Sequence, residues 1–351
     1  MVLNNPFTIA FGKQPPQFIS RLQQTETIIN SFRAEVPTTQ VYMLTGVRGS
    51  GKTVLLTNIA KIMREQDDWI VIELNPESDM IHGFASKLYS IPNLQKLFVK
   101  ASLDLSMFGI GLSIEKSMPV ANLESGIDRM LTELDKKNKK VLIEIDEVTN
   151  SEYMRVFASA FQIFMRQDHN VFLLMTGLYE NINNLQNEKS LTFLYRVPKI
   201  FLSPLNIGAI ARSYKEIFDI SYDDALLMSK KTRGYPFAFQ VLGYLKWENK
   251  EKKLEEILPV YQQYLEEYVY DKIYSELSVA EKKILLRIAK EKDEYIKVKE
   301  IRDTLTMNSS LFSTYRDKLI KKGLIDASQY GFMSLMLPGF GRFVIEHSFE
   351  L

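Results

Sequence analysis

The 351-residue chain contains no cysteine. That absence removes disulfides, thiolate metal ligands and cysteine nucleophiles together. Histidine is scarce as well: His82, His169 and His347 lie far apart and form no ligand motif, so a zinc centre is not expected. No apolar run approaches the roughly 18 residues needed to span a bilayer. The segment from Met1 to Pro6 lacks the basic stretch and apolar run of a secretory signal. The chain reads as cytoplasmic, with no membrane partner. Strong charge of one sign is missing too, since 44 Lys and Arg face 43 Asp and Glu for a formal +1. The molecule as a whole is not a polycation, and any nucleic-acid surface must be local. Internal repeats and low-complexity linkers are also absent.

What is present is an ordinary globular composition, 46% hydrophobic and 25% charged, in a chain long enough for two or three domains. From residue 41 to about 203, apolar runs alternate with helical patterns. The runs are 41–45, 69–74, 140–146, 170–176 and 199–203, each continuous in Val, Ile, Leu and Phe. Continuity without alternation marks strands covered on both faces. Helical segments at 53–66, 78–90, 122–138 and 151–167 separate them. This rhythm predicts an α/β fold, a parallel sheet with right-handed crossovers. One stretch breaks it: residues 101–115 alternate Leu103, Leu105, Ile110, Leu112 and Ile114 around Phe108-Gly109, which predicts an inserted hairpin.

After Pro204 the pattern turns helical, over 206–218, 222–232, 236–248 and 251–273, with Asn206 and Ser221 as N-caps. From about 277, helical stretches at 279–290, 297–305 and 308–322 precede two short strand-like runs, 324–327 and 332–337. Gly323 ends the third helix and Gly331 turns the hairpin. That order is that of a winged helix. The expected domains are therefore a sheet domain 1–204, a helical lid 205–275 and a winged helix 276–351.

Directly after the first strand comes Gly46-Val47-Arg48-Gly49-Ser50-Gly51-Lys52-Thr53, followed by Val54 in a helix. Amides of such a loop converge on a phosphate, helped by the positive end of the helix behind it. Lys52 would reach the β- and γ-phosphates, and the Thr53 hydroxyl would hold Mg²⁺. The expected ligands are ATP or ADP with magnesium. The strand 140–146 ends in Asp146-Glu147. Asp146 would bind the metal and Glu147 would polarise a water; the alternative is an acidic loop that caps the next helix. Glu144 lies inside the strand and should face a neighbouring layer. Thr176, at the tip of the fourth strand, either senses the γ-phosphate, positions the water, or caps a helix. Arg196, just before the last strand, is either an arginine finger for a neighbouring subunit or a surface residue paired with a carboxylate.

Taken together, GVRGSGKT, LIEIDE, the polar strand tip at Thr176 and the Arg at 196 resemble an AAA+ ATPase. The helical segment and terminal winged helix are similar to the origin-recognition-like branch and the related STAND ATPases. Phe11-Gly12 and Pro16 to Arg21 look like that branch's adenine-flanking segment, Pro-x-x-Phe-Val-Gly-Arg, with Ser20 in place of the Gly. The resemblance implies nucleotide contacts from Ile19 and Arg21. Gly234-Tyr235-Pro236 is similar to the STAND signature Gly-x-Pro, which implies that Pro236 abuts the adenine. No sensor arginine follows Pro236, and Arg233 sits one turn early. The resemblance implies a hydrolytic switch whose nucleotide state sets the lid and winged helix. Its rivals are a non-hydrolysing ADP/ATP switch acting through protein contacts and a DNA-loading replication-type ATPase, with homo-oligomers or protein partners for either.

The helix 308–322 places Leu311, Tyr315, Leu319 and Ile320 on one face. Ser309, Ser310, Ser313, Thr314, Arg316, Lys318, Lys321 and Lys322 lie largely outside it. With the following wing it would contact duplex DNA, or else it serves packing only. Residues 272–351 carry 14 basic and 11 acidic residues, so the near-neutral total conceals a basic terminal segment.

Overall fold

The five apolar runs pair into one parallel sheet: β1 (Val41–Thr45), β2 (Trp69–Leu74), β3 (Lys140–Ile145), β4 (Val171–Gly177) and β5 (Lys199–Phe201). Their spatial order is β2-β3-β4-β1-β5. This computed structural model describes residues 4–10, 14–111, 120, 122–291 and 293–348. The chain forms two compact units, Arg21–Thr45 with Lys52–Phe201, and Met1–Ser20 with Gly46–Gly51 and Leu202–Leu351. Among the described residues, no helix is long and apolar enough to cross a membrane.

In the sheet unit, parallel pairing requires a crossover between successive strands, and helices supply it. After α1 (Leu22–Arg33), which precedes β1, these are in chain order α2 (Lys52–Arg64), α3 (Met80–Tyr89), α4 (Pro92–Lys100), α5 (Leu123–Asp135), α6 (Glu152–Arg166) and α7 (Tyr179–Gln186). Alternate strand residues face opposite layers. Val41, Met43, Ile143 and Leu173 join a core with Phe84, Phe98, Phe157, Phe161 and Phe164. The other face gathers aromatics: Phe32 of α1 lies 5.5 Å from Tyr42 and 5.1 Å from Phe172, and Trp69 lies 4.9 Å from Phe172. Both faces are thus filled, which is why the strands carry continuous apolar runs.

The second unit continues with α8 (Ile207–Phe218), α9 (Tyr222–Lys231), α10 (Pro236–Glu248) and α11 (Leu254–Leu265). The Asn206 and Ser221 side chains accept from Ala209 N and Asp224 N, so both helices start at the caps that the sequence marks. The expected helix 251–273 begins later and is interrupted: α11 passes through a π-helical turn, Glu266–Tyr270, into α12 (Asp271–Ser275). The N-terminal segment belongs here too. Phe7 is buried against Tyr214, Phe218 and Phe239, and Thr8 N donates to Gln240 Oε1.

The chain ends in α13 (Val279–Ala289), β6 (Ile296–Lys297), α14 (Val298–Thr304), α15 (Ser309–Lys321), β7 (Ile325–Asp326), β8 (Phe332–Leu335) and α16 (Phe340–Glu346). The strands form an antiparallel sheet in the order β6-β8-β7. Gly323 and Gly331 have φ of 75° and 78°, at the helix end and the hairpin turn.

Three expectations need correction. Residues 101–111 do not form a strand pair; a 3₁₀ turn, Ser106–Phe108, is closed by one antiparallel bridge between Leu105 and Ile110. Leu112, Ile114 and the rest of the expected hairpin lie outside the described residues. The buried face of α15 is set by Phe312 and Leu319, while Leu311 is 45% exposed. Leu319, Tyr315 and Ile320 pack inward as expected, and only at the start of the helix does Phe312 take the place of Leu311. Lys322 does not face outward: its ammonium lies 2.7 Å from the buried Glu281 carboxylate, which also closes the capping box of α13 with Ser278.

A charged cluster ties α5 to β4. The buried His169 ring has Nδ1 2.6 Å from Asp135 and Nε2 2.9 Å from Asp128. Burial alone would lower its pKa, but the hydrogen bonds that the ring donates to Asp135 and Asp128 outweigh it and raise the value above 6.5. Burial likewise works against Asp135, yet bonds from His169 and Asn170 leave its carboxyl below its ordinary range. The His169 contribution is complete below pH 6.5 and is lost as pH rises through the raised value; that of Asp135 is lost under acid. His169→Asn should therefore cost roughly 1–3 kcal/mol near about pH 6 and less at alkaline pH, measured by urea unfolding. A penalty independent of pH would show that the ring is neutral in the fold.

Candidate active site

The parallel sheet brings strand ends together at one edge. Ile145 pairs with Met175, so the next residues along each strand, Asp146 and Thr176, come side by side beyond the last pair. Thr53, in the first turn of α2, reaches the same point: its Oγ lies 2.7 Å from Asp146 Oδ2. The Thr176 hydroxyl donates to Asp146 Oδ1 at short range. Both carboxylate oxygens are thereby engaged.

Glu147 follows directly. Its N–H lies 3.1 Å from both Asp146 Oδ1 and Thr176 Oγ, and its φ is 55°, left-handed for a residue with a side chain. Its carboxylate is exposed, whereas Thr176 has no accessible surface. Neither acidic residue caps the next helix, because Ser151 does so by accepting from Met154 N at 3.1 Å. Nor does Thr176 cap one, since α7 starts at Tyr179 behind Leu178. Glu144 is buried in β3 and pairs with Arg64 at the far end of α2. Burial raises its pKa, against the opposing pull of Arg64. It braces the helix to the sheet and faces a neighbouring layer.

Lys52 and Thr53 open α2, Lys52 being almost fully buried and Val54 half-buried. Thr53 and Asp146 offer two hard oxygen donors at one point, a donor set that fits magnesium.

In the other unit, Gly46, Val47, Arg48, Gly49, Ser50 and Gly51 form a tight turn in which Ser50 N bonds Val47 O at 3.1 Å. Gly49 and Gly51 have φ of 75° and 85°. Positive φ of this kind is what a backbone cradle for phosphate uses. A Cβ at Gly49 would collide with the Tyr235 hydroxyl, so the glycine also admits a neighbour. That hydroxyl donates to Arg48 O at 2.6 Å, and Phe237 N donates to Gly49 O at 3.2 Å. Burial raises the Tyr235 pKa well above 10, which keeps it a donor. Pro236, the first residue of α10, sits 3.8 Å from where a Gly51 Cβ would be. Ile19 packs on the apolar cluster of α8 to α10. These loop contacts of residues 235–237 carry no local sequence signal beyond Gly-Tyr-Pro, because their partners are backbone carbonyls nearly 190 residues away.

The remaining candidates stand apart. Arg21 precedes α1 and is desolvated, which lowers its pKa to about 10 and leaves it protonated at neutral pH. Phe11 and Gly12 lie outside the described residues. Arg196 is exposed beside the exposed Tyr195 and forms no ion pair among the described residues. Arg233 points to the terminal sheet: it donates to Leu335 O at 2.6 Å and pairs with Glu294 at 2.9 Å.

A family model described as a domain of unknown function, DUF8462, matches residues 267–344. No curated protein matches the sequence. Among solved structures, the chain is similar to a Walker-type ATPase of Pyrococcus abyssi, with 15% identity, a TM-score of 0.60, and coverage of 93% of this chain and 96% of that one. It is similar also to the ORC2 protein of Aeropyrum pernix in its ADPNP–ADP complexes, with 15% identity, a TM-score of 0.61, and coverage of 96% and 95%. The five-stranded parallel sheet and these likenesses together show that the chain has a P-loop NTPase α/β fold with a helical C-terminal region, as in these two structures.

Proposed function

We infer that this chain is a cytoplasmic, magnesium-dependent ATPase that works as a nucleotide switch. The observation that carries the reading is the cluster in which Thr53 and Thr176 hold Asp146 and the exposed Glu147 follows on a constrained turn. Residues Gly46–Thr53 bind the phosphates, with Lys52 on the β- and γ-phosphates. Thr53 and Asp146 hold Mg²⁺, which supplies charge neutralisation on the phosphates when bound. Glu147 is the base that polarises the attacking water. Ile19, Arg21 and Pro236 flank the adenine, and Arg196, exposed and without an ion pair among the described residues, serves a neighbouring copy as an arginine finger. The ADPNP and ADP complexes of the ORC2 protein support the choice of nucleotide.

The working modules are 1–204, 205–275 and 276–351. The bonds from Tyr235 and Phe237 to the glycine-rich turn support a lid that reports nucleotide state, and the Arg233 contacts pass it on to the winged helix. Lys52→Ala should weaken ATP binding about a hundredfold, read with a fluorescent nucleotide. Glu147→Gln should bind normally and turn over about a hundred- to ten-thousandfold more slowly. Wild-type turnover in Glu147→Gln would remove Glu147 from its role. Purification with tightly held ADP and no turnover would favour the non-hydrolysing switch.

A second reading, duplex DNA contact, is favoured by the outer face of α15. Ser309, Ser310, Ser313, Thr314 and Lys318 are exposed there, and Tyr330 at the wing tip is 99% exposed. Lys318→Ala should weaken duplex binding and reduce its salt slope by about one, without altering the fold. Lys322→Ala should instead cost about 3 kcal/mol of stability, because it strands a buried carboxylate. Equal DNA affinity for Lys318→Ala across a salt titration would exclude contact through this helix.

A further inference from the structure

The hydroxyl of Thr176 stands where a phosphate sensor would be expected, yet its bonding leaves it nothing to offer a phosphate. A hydroxyl has one hydrogen to donate and two lone pairs. The Thr176 hydrogen goes to Asp146 Oδ1, and one lone pair takes the Glu147 N–H at 3.1 Å. Phosphate oxygens accept hydrogen bonds and so need the donor that is already committed. The residue also has no accessible surface. Its backbone adds a second hold: Val148 N donates to Thr176 O at 2.8 Å.

Thr176 therefore pins two successive amides, those of Glu147 and Val148. Between them the chain takes a left-handed conformation at Glu147, with φ 55°. For a residue with a side chain this backbone is disfavoured unless neighbouring bonds hold it. No helix cap imposes the turn, because α6 starts five residues later on its own Ser151 cap.

We propose that Thr176 is a positioning residue: its hydroxyl holds the Glu147 backbone in the left-handed turn that presents the Glu147 carboxylate to the water, and it does not touch the phosphate. The proposal rests on the ATPase reading for its kinetic consequence. The backbone hold itself can be read without turnover.

The test compares Thr176→Val, which keeps the shape and loses the hydroxyl, with Thr176→Ser, which keeps the hydroxyl. In Thr176→Val the affinities for ADP and for a non-hydrolysable ATP analogue stay unchanged, and turnover falls roughly tenfold to a hundredfold at constant KM. Thr176→Ser recovers most of the rate. Residue-resolved amide exchange shows the Glu147 N–H exchanging at least about tenfold faster in Thr176→Val, with Val148 still protected. Should Thr176→Val fold poorly, Thr176→Ala is read the same way. Unchanged exchange at Glu147 overturns the proposal. So does a selective loss of affinity for the ATP analogue over ADP, which would mean a direct γ-phosphate contact. Absence of turnover in the wild-type protein overturns the ATPase reading alone, and the exchange arm then still decides whether Thr176 holds Glu147.

Discussion

The carboxylate of Asp146 is the junction on which the site depends. One oxygen receives the Thr53 hydroxyl from the start of α2, and the other receives Thr176 from β4 and the amide of Glu147. Three separate chain segments are thus registered on one group. This is possible because the sheet is parallel, so that the carboxyl ends of β3 and β4 finish on the same edge where α2 begins. An antiparallel arrangement would send one of the two tips to the opposite edge. The layers that pin the register are the aromatics around Phe32, Trp69 and Phe172 and the Phe-rich core behind the other face. At the other end of α2, the Arg64 pair with buried Glu144 stops the helix from sliding along the strand.

The glycine-rich turn is held from a different side. Tyr235 and Phe237 bond the carbonyls of Arg48 and Gly49, and the bare Gly49 lets the tyrosine hydroxyl approach closely. Two residues before Tyr235, Arg233 is fastened to Leu335 and Glu294 of the terminal region. A five-residue stretch, Arg233 to Phe237, therefore touches the glycine-rich turn with one end and the terminal sheet with the other. Arg233 serves the contact to the terminal sheet, and the turn is held by the hydrogen bonds that its carbonyls accept from Tyr235 and Phe237.

The parts legible in the sequence are those whose physical cause is local. Burial on both faces writes continuous apolar runs, so β1 and β2 match their expected bounds and the others come within a residue or two. Caps at Asn206 and Ser221 are local too, and so are the glycine-rich turn after β1 and the acidic pair at the end of β3. Some elements carried a signal that was passed over: in α1, Thr25, Ile28, Ile29 and Phe32 recur at helical spacing and are all buried. Other features have no local cause. The Thr176 bonds depend on the β3–β4 register, and the Tyr235 bond depends on a carbonyl far away in the chain. Neither can be inferred from neighbours in sequence.

The terminal helix shows the same limit for charge. Four basic residues against one acidic over 308–322 suggest a basic face when counted along the chain. In the fold, Lys322 is taken up by the buried Glu281, Lys321 lies 2.5 Å from Asp317, and Arg316 is half-buried. Lys318 is exposed with no ion pair among the described residues, lying above the Tyr315 ring. Net charge per segment measures what a chain carries, not what it presents, because a paired buried charge contributes little field outside. What α15 presents is a row of hydroxyls with Lys318 and the ion-paired Lys321. Such a surface suits hydrogen bonds to phosphate oxygens more than long-range attraction, so any duplex contact made here would owe its strength to fit and show a shallow dependence on salt.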